Sequence, residues 1–327
     1  MRLQVKIGLA AMSVCLGAGA QTVCTTQAKM TPTVRQSVAD AAMTLASAIK
    51  SDRATQIQGL AVAGLAGNFA QVQYTVQNVS ALLQGDSMRV SQVYLLDAST
   101  LKQGDDANFT CALTGSTSEV DFSISGLAAG VYSFAMVEAE GGSRPWLLSF
   151  LLQQGGGTWK MAGLYEHPRA AAGKDGLTYW KTARQQKATQ PWLAWLSYGE
   201  ADTLLAPAPF ASSTNLDNLR TERRQAAPGA LADGISSDEP LVVKTADGKD
   251  VKITSLSTDT TTDGATLRLV VRYAAVGDAP VPDTAAVRAL LAAHPEIRQG
   301  FGAVLVFGDA PGKDPSVLSA KMSEIPS

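Results

Sequence analysis

The residues able to do acid–base work are few. Two histidines, His167 and His294, stand 127 positions apart, so a zinc site built from two histidines on one helix is excluded. Glu166-His167, with Lys174 and Asp175 shortly after, is where a carboxylate adjoins an imidazole, the pairing that general acid–base catalysis needs. In an extended strand the two would point to opposite faces, and Pro168 would end the strand with His167 at its rim. Glu166 and His167 are therefore the catalytic candidates, and the expectation leans away from an enzyme. No Gly-x-Ser-x-Gly elbow, phosphate loop or Gly-x-Gly-x-x-Gly stretch occurs, which removes the familiar hydrolase and nucleotide signatures. Asp259, Asp263 and Gly264 echo the start of a calcium loop, but Val270 stands where the bidentate glutamate is needed, so a hairpin turn is expected. Asp105-Asp106 and Asp238-Glu239 read as solvated loop carboxylates. His294, before Pro295, reads as a helix terminator beside its dipole. No metal and no cofactor are expected.

Aromatic residues offer a different chemistry. All five tryptophans fall between Trp146 and Trp195. Trp180, Trp192, Trp195 and Tyr198 are the expected ligand- or partner-binding residues. The five tryptophans as a set read first as the core joining the sheet to the helical hairpin and second as an aromatic ligand cleft; iodide quenching separates the two, since core indoles resist it.

The chain has 327 residues, 46% apolar and 17% charged, ordinary for a folded protein and unlike a disordered one. With 27 basic and 29 acidic residues, nothing argues for nucleic acid as partner. Residues 1–20 read as a Sec-type signal peptide: Arg2 and Lys6, an apolar stretch Ile7 to Leu16, then Ala18-Gly19-Ala20. Cys15 and Cys24 are each preceded by valine, Val14 and Val23, which argues against a lipid-attachment signal. Cleavage near Ala20 predicts an exported protein, periplasmic or secreted, with net charge −4 and no transmembrane segment in the mature chain. Cys24 and Cys111 could then pair and close a loop of 88 residues; the other reading is one buried and one mobile thiol.

The elements that must position these residues follow from periodicity. Val34, Val38, Ala42, Leu45 and Ile49 mark one helix face, with Thr33 as cap. Phe69, Val72, Val76, Val79 and Leu83 mark a second, capped by Asn68 and stopped by Gly85. The tract Gly59 to Gly67 permits either close helix approach or a loop. Six strands are expected at Met88 to Leu96, Asn108 to Leu113, Val120 to Ser125, Val131 to Val137, Leu147 to Gln153 and Thr158 to Tyr165. Two helices and a meandering antiparallel sheet make an α+β domain over 21–170.

Pro145-Trp146-Leu147-Leu148-Ser149-Phe150-Leu151-Leu152, a glycine turn, then Thr158-Trp159-Lys160-Met161-Ala162-Gly163-Leu164-Tyr165 resembles the closing hairpin of NTF2-like (cystatin-like cone) domains. That resemblance implies a curved sheet wrapped on helices around a pocket, in which an acidic residue and a histidine can act as an acid–base pair. Ser125-Gly126-Leu127-Ala128-Ala129-Gly130-Val131-Tyr132 instead resembles the strand-turn-strand of prealbumin-like β-sandwich modules, the second choice. Residues 175–224 read as a helical hairpin: Leu177, Trp180 and Ala183, then Pro191 opening a helix through Trp192, Trp195, Tyr198, Ala201 and Leu205. Ala194, Tyr198, Ala201 and Pro207 resemble the second helix of a tetratricopeptide-type unit, which implies packing against a neighbouring domain.

Residues 225–240 read as a linker. A C-terminal β-rich domain follows at 241–327: Leu241 to Thr245, Asp250 to Ser257, Ala265 to Tyr273 and Phe301 to Phe307 as strands, with one helix capped by Asp283. The expected function is non-catalytic binding of a protein or small molecule through the aromatic middle section. The alternative is a small-molecule enzyme or carrier with an NTF2-like pocket.

Overall fold

A computed structural model describes residues 22–113, 115–142, 144–275 and 281–326; the signal-peptide reading falls outside them. The fold is α+β, with helices and several largely antiparallel sheets. Strand β1 (Val23–Thr26) leads into helix α1 (Pro32–Lys50). Thr31, not Thr33, caps α1: its hydroxyl accepts from the Val34 N–H at 3.4 Å, and Pro32 occupies the first turn, where its missing N–H costs nothing. The small-residue tract forms two short helices, α2 (Ala54–Gly59) and α3 (Ala63–Gly67). Between them Leu60 and Val62 hydrogen-bond Met161 through the backbone at 2.8 and 2.9 Å. Helix α4 (Ala70–Leu82) starts after Phe69 without a side-chain cap; Asn68 closes α3 instead of opening α4.

Strands β2 (Ser87–Asp97), β3 (Ala107–Ala112), β4 (Glu119–Ile124), β5 (Val131–Glu140), β6 (Trp146–Gly155) and β7 (Thr158–Pro168) follow. They are not one meander. The order is β1-β2-β5-β6-β7, and the β3–β4 hairpin leaves to form a separate sheet. Burial explains the split. β3 alternates buried and exposed residues, whereas β5 and β6 are buried on both faces and must be covered from both sides. One face carries Val93, Ala135, Phe150, Leu152 and Met161 against Val38, Leu45 and Ile49 of α1. The other carries Tyr94, Phe134 and Leu151 against Phe109 and Phe122 of the small sheet.

Two short strands, β8 (Ala170–Ala171) and β9 (Lys174–Asp175), precede helices α5 (Gly176–Gln186) and α6 (Pro191–Leu205). Asp175 caps α5, accepting from the Thr178 N–H at 2.8 Å. Next come β10 (Ala211–Ser213), which pairs with β4, and a third helix, α7 (Thr214–Gln225). The expected linker is docked rather than free: Leu231 is buried in the C-terminal core.

The C-terminal sheet runs β11 (Leu241–Lys244), β12 (Asp250–Thr260), β13 (Leu267–Ala274), β14 (Ala303–Asp309) and β15 (Ser316–Lys321), one strand more than the pattern suggested. Helix α8 (Asp283–Ala293) makes the crossover that lets β13 and β14 run parallel. Trp192, Leu193, Trp195 and Leu196 of α6 share one core with Leu256, Leu290 and Phe301 of this sheet and its connections. The glycine turn between β12 and β13 touches the connection between β5 and β6. Gly264 has φ +72°, and a Cβ there would lie 2.9 Å from Arg144 Cδ. Arg144 donates to the Thr260 hydroxyl at 2.7 Å and stacks on Trp146 at 4.7 Å.

Candidate functional site

The second face of the β2-β5-β6 sheet is not fully covered by the small sheet. Helices α5 and α6 approach it, and a groove of about 280 Å³ remains between them. Its floor is Tyr94, Phe134 and Met136 from β2 and β5, with Phe122 of β4 beside them. Leu177 and Trp180 of α5 and Leu216 of α7 form the opposite wall. The rings pack edge to face: Tyr94 to Phe122 at 5.2 Å, Phe134 to Phe210 at 5.5 Å and Tyr165 to Phe210 at 5.1 Å. Leu177 stands at the rim, 51% exposed, an apolar side chain left to water at the mouth of an apolar groove.

Trp180 is held in place from behind. Its indole N–H donates to Glu222 Oε2 at 2.9 Å, and Arg184 stacks on its ring at 4.4 Å. Arg184 also grips Glu222 through both oxygens, Nε to Oε2 at 2.7 Å and Nη2 to Oε1 at 2.6 Å. The Tyr198 hydroxyl donates the fourth bond to the carboxylate, to Oε2 at 3.2 Å. These hydrogen bonds, Arg184's first, pull the Glu222 carboxyl down to about 2. Burial, then the Glu222 charge, pushes Tyr198 up to about 12. The carboxylate therefore stays ionised across the physiological range and fixes both aromatic rings.

The four aromatic residues expected to bind a ligand do not form one surface. Trp180 lines the groove. Tyr198 is fully buried beneath it. Trp192 and Trp195, in the first turns of α6, face the core of the C-terminal sheet, 5% and 8% exposed, where Trp192 stacks on His294 at 4.0 Å and Arg223 covers Trp195 at 4.3 Å. Their size explains this: each joins two layers that would otherwise leave a void. Only Trp180 of the four meets a cavity wall in this groove.

Glu166 and His167 are likewise kept apart. In register Glu166 lies opposite Leu148, on the α1 face, and His167 opposite Leu147, on the other. Burial pushes Glu166 up and His167 down. His167 Nδ1 lies 3.0 Å from the Pro168 carbonyl, and Nε2 is buried without a partner. The space between α1 and the sheet, where a cone-type pocket would sit, is packed with Val38, Leu45, Leu148, Phe150 and Met161. Cys24 and Cys111 form a disulfide, Cα–Cα 5.3 Å, that staples β1 to β3. Among the described residues no group of three or more His, Cys, Asp or Glu side chains is arranged to hold a metal, and no helix is long and apolar enough to cross a membrane.

Glu222, Arg184 and the floor rings Phe122 and Phe134 were not singled out by the sequence. Arg184 lies four residues beyond Trp180, one helical turn, which was a readable signal. Glu222 sits on a polar helix whose fold position no local pattern announces. A comparison with known protein families, curated proteins and solved structures finds no match to this chain.

Proposed function

We propose that this is a non-catalytic exported binding protein that takes a small, largely apolar molecule into the aromatic groove between its first domain and its helical section. The observation that carries the reading is a concave, ring-lined cavity of about 280 Å³ whose wall tryptophan is fixed by a dedicated carboxylate. Such concave, mostly apolar spaces with few polar groups are the usual form of small-molecule sites. The polar groups here, Ser212, Ser213 and Asn215, lie along one edge and would orient the occupant. Export is supported by the signal-like residues 1–20 and by a disulfide, which persists in oxidising compartments. The helical hairpin packing on a neighbouring sheet is the role that a single tetratricopeptide-like unit would take, and the α1-covered sheet is the part that resembles a cone domain.

The test is a fluorescence titration with N-phenyl-1-naphthylamine, an uncharged apolar dye. Saturable enhancement is expected, weakened about tenfold by Leu177→Asp, which places a charge at the rim without touching the core. Equal enhancement in the variant would refute the assignment.

A further inference from the structure

A second cavity lies on the other flank of the α5–α6 pair, between it and the C-terminal sheet. It encloses about 330 Å³ and its chemistry is the opposite of the aromatic groove. Its lining carries three glutamines, Gln186, Gln190 and Gln299, hydroxyls from Ser197 and Thr182, and one charged group, Lys174. Phe301 and the ring of Tyr179 supply flat apolar wall.

Three of the lining hydroxyls are already hydrogen-bonded within the protein. The Tyr179 hydroxyl donates to the Ala171 carbonyl at 2.9 Å, and the Thr182 hydroxyl to the Thr178 carbonyl at 2.9 Å. Thr258 donates to Glu200, a carboxyl buried behind it. What remains are the amides, the Ser197 hydroxyl and Lys174. Gln186 Oε1 is buried with no hydrogen-bond partner, an acceptor taken out of water with nothing to replace it. Gln190 precedes α6 without capping it through its side chain. Primary amides both donate and accept, which matches hydroxyl groups, themselves donor and acceptor. Lys174 Nζ lies 5.9 Å from the centre of the Tyr179 ring, beside the cavity's flat wall.

We infer that this cleft binds a small polyhydroxylated carboxylate, the chemistry of a sugar acid. Its hydroxyls meet the glutamine amides, its ring face lies on Phe301 and Tyr179, and its carboxylate pairs with Lys174. Lys174 is the charged side chain in the lining and directs the carboxylate to its own end of the cleft. The site is separate from the aromatic groove and shares no lining residue with it.

The experiment is isothermal titration calorimetry of the full chain with sodium D-glucuronate, against D-glucose, which has the same ring without the charge. Saturable heat is expected for glucuronate, with glucose about threefold weaker, as one charge pair to the exposed Lys174 supplies. Lys174→Met should bring glucuronate down to the glucose level, and Gln186→Leu should weaken both. Gln299→Leu, at an exposed position, repeats the amide test should the first variant fold poorly. No saturable heat with either compound, equal affinity for the two, or binding indifferent to both glutamine changes would overturn the inference.

Discussion

Glu222→Gln is the substitution that isolates the electrostatic part of the node behind Trp180. It keeps the shape and removes the charge, and it sets an amide donor against the Arg184 donors. The wild-type carboxyl falls from an ordinary 4.5 to about 2. Each tenfold change in proton affinity is worth about 1.4 kcal/mol, so the undamped stabilisation is roughly 3 kcal/mol. The Arg184 side chain is 49% exposed, which screens its share and brings the expected cost of the variant to about 2 kcal/mol at pH 7. The sign follows from linkage. A carboxyl held low in the folded state contributes above its unfolded value near 4.5, and the contribution fades as pH falls toward about 2. Urea unfolding of both proteins at pH 7 and pH 3 should therefore show a gap of about 2 kcal/mol shrinking to less than half. A gap that is the same at both pH values, or below about 0.5 kcal/mol at pH 7, would refute the electrostatic reading of the node.

Three further outcomes are expected. Reduction, or Cys111→Ser, should lower stability by about 4 kcal/mol in urea unfolding, because the bond between Cys24 and Cys111 closes a long loop between β1 and β3. Iodide should quench mainly Trp159 and Trp180, which are partly exposed, and leave the emission of Trp146, Trp192 and Trp195 almost untouched. Burial holds His294 below its usual range, so neutral His294 is favoured in the fold. Stability should then be complete above pH about 6.5 and fall as pH drops through the depressed value. His294→Phe, which keeps a ring against Trp192, should flatten that part of the thermal-stability profile.

Strands with strong alternation or dense apolar runs were legible: β5, β6 and β7 extend a few residues beyond the ranges their patterns suggested. The short edges were not. β15, Ser316–Lys321, is largely exposed, with only Leu318 and Ala320 packed partly against the core, and β10 has only three residues. Helix α7 was hidden for a related reason: it is strongly polar, and only Leu216 and Leu219 are buried. The groove was illegible because its walls come from β2, β4, β5 and three helices, brought together by a strand order that places β5, not β3, beside β2. The tryptophan cluster was visible as composition, but composition does not say which side of α6 each ring takes. Spacing around Trp192 and Trp195 is compatible with either side; the C-terminal sheet decides it by covering both.

The groove itself is tested most directly by a crystal structure of the protein soaked with N-phenyl-1-naphthylamine. Density for the dye is expected between Phe134 and Trp180, with Trp180 still bonded to Glu222 and the sheet unmoved. Dye found elsewhere on the molecule, with this space empty of it, would contradict the account.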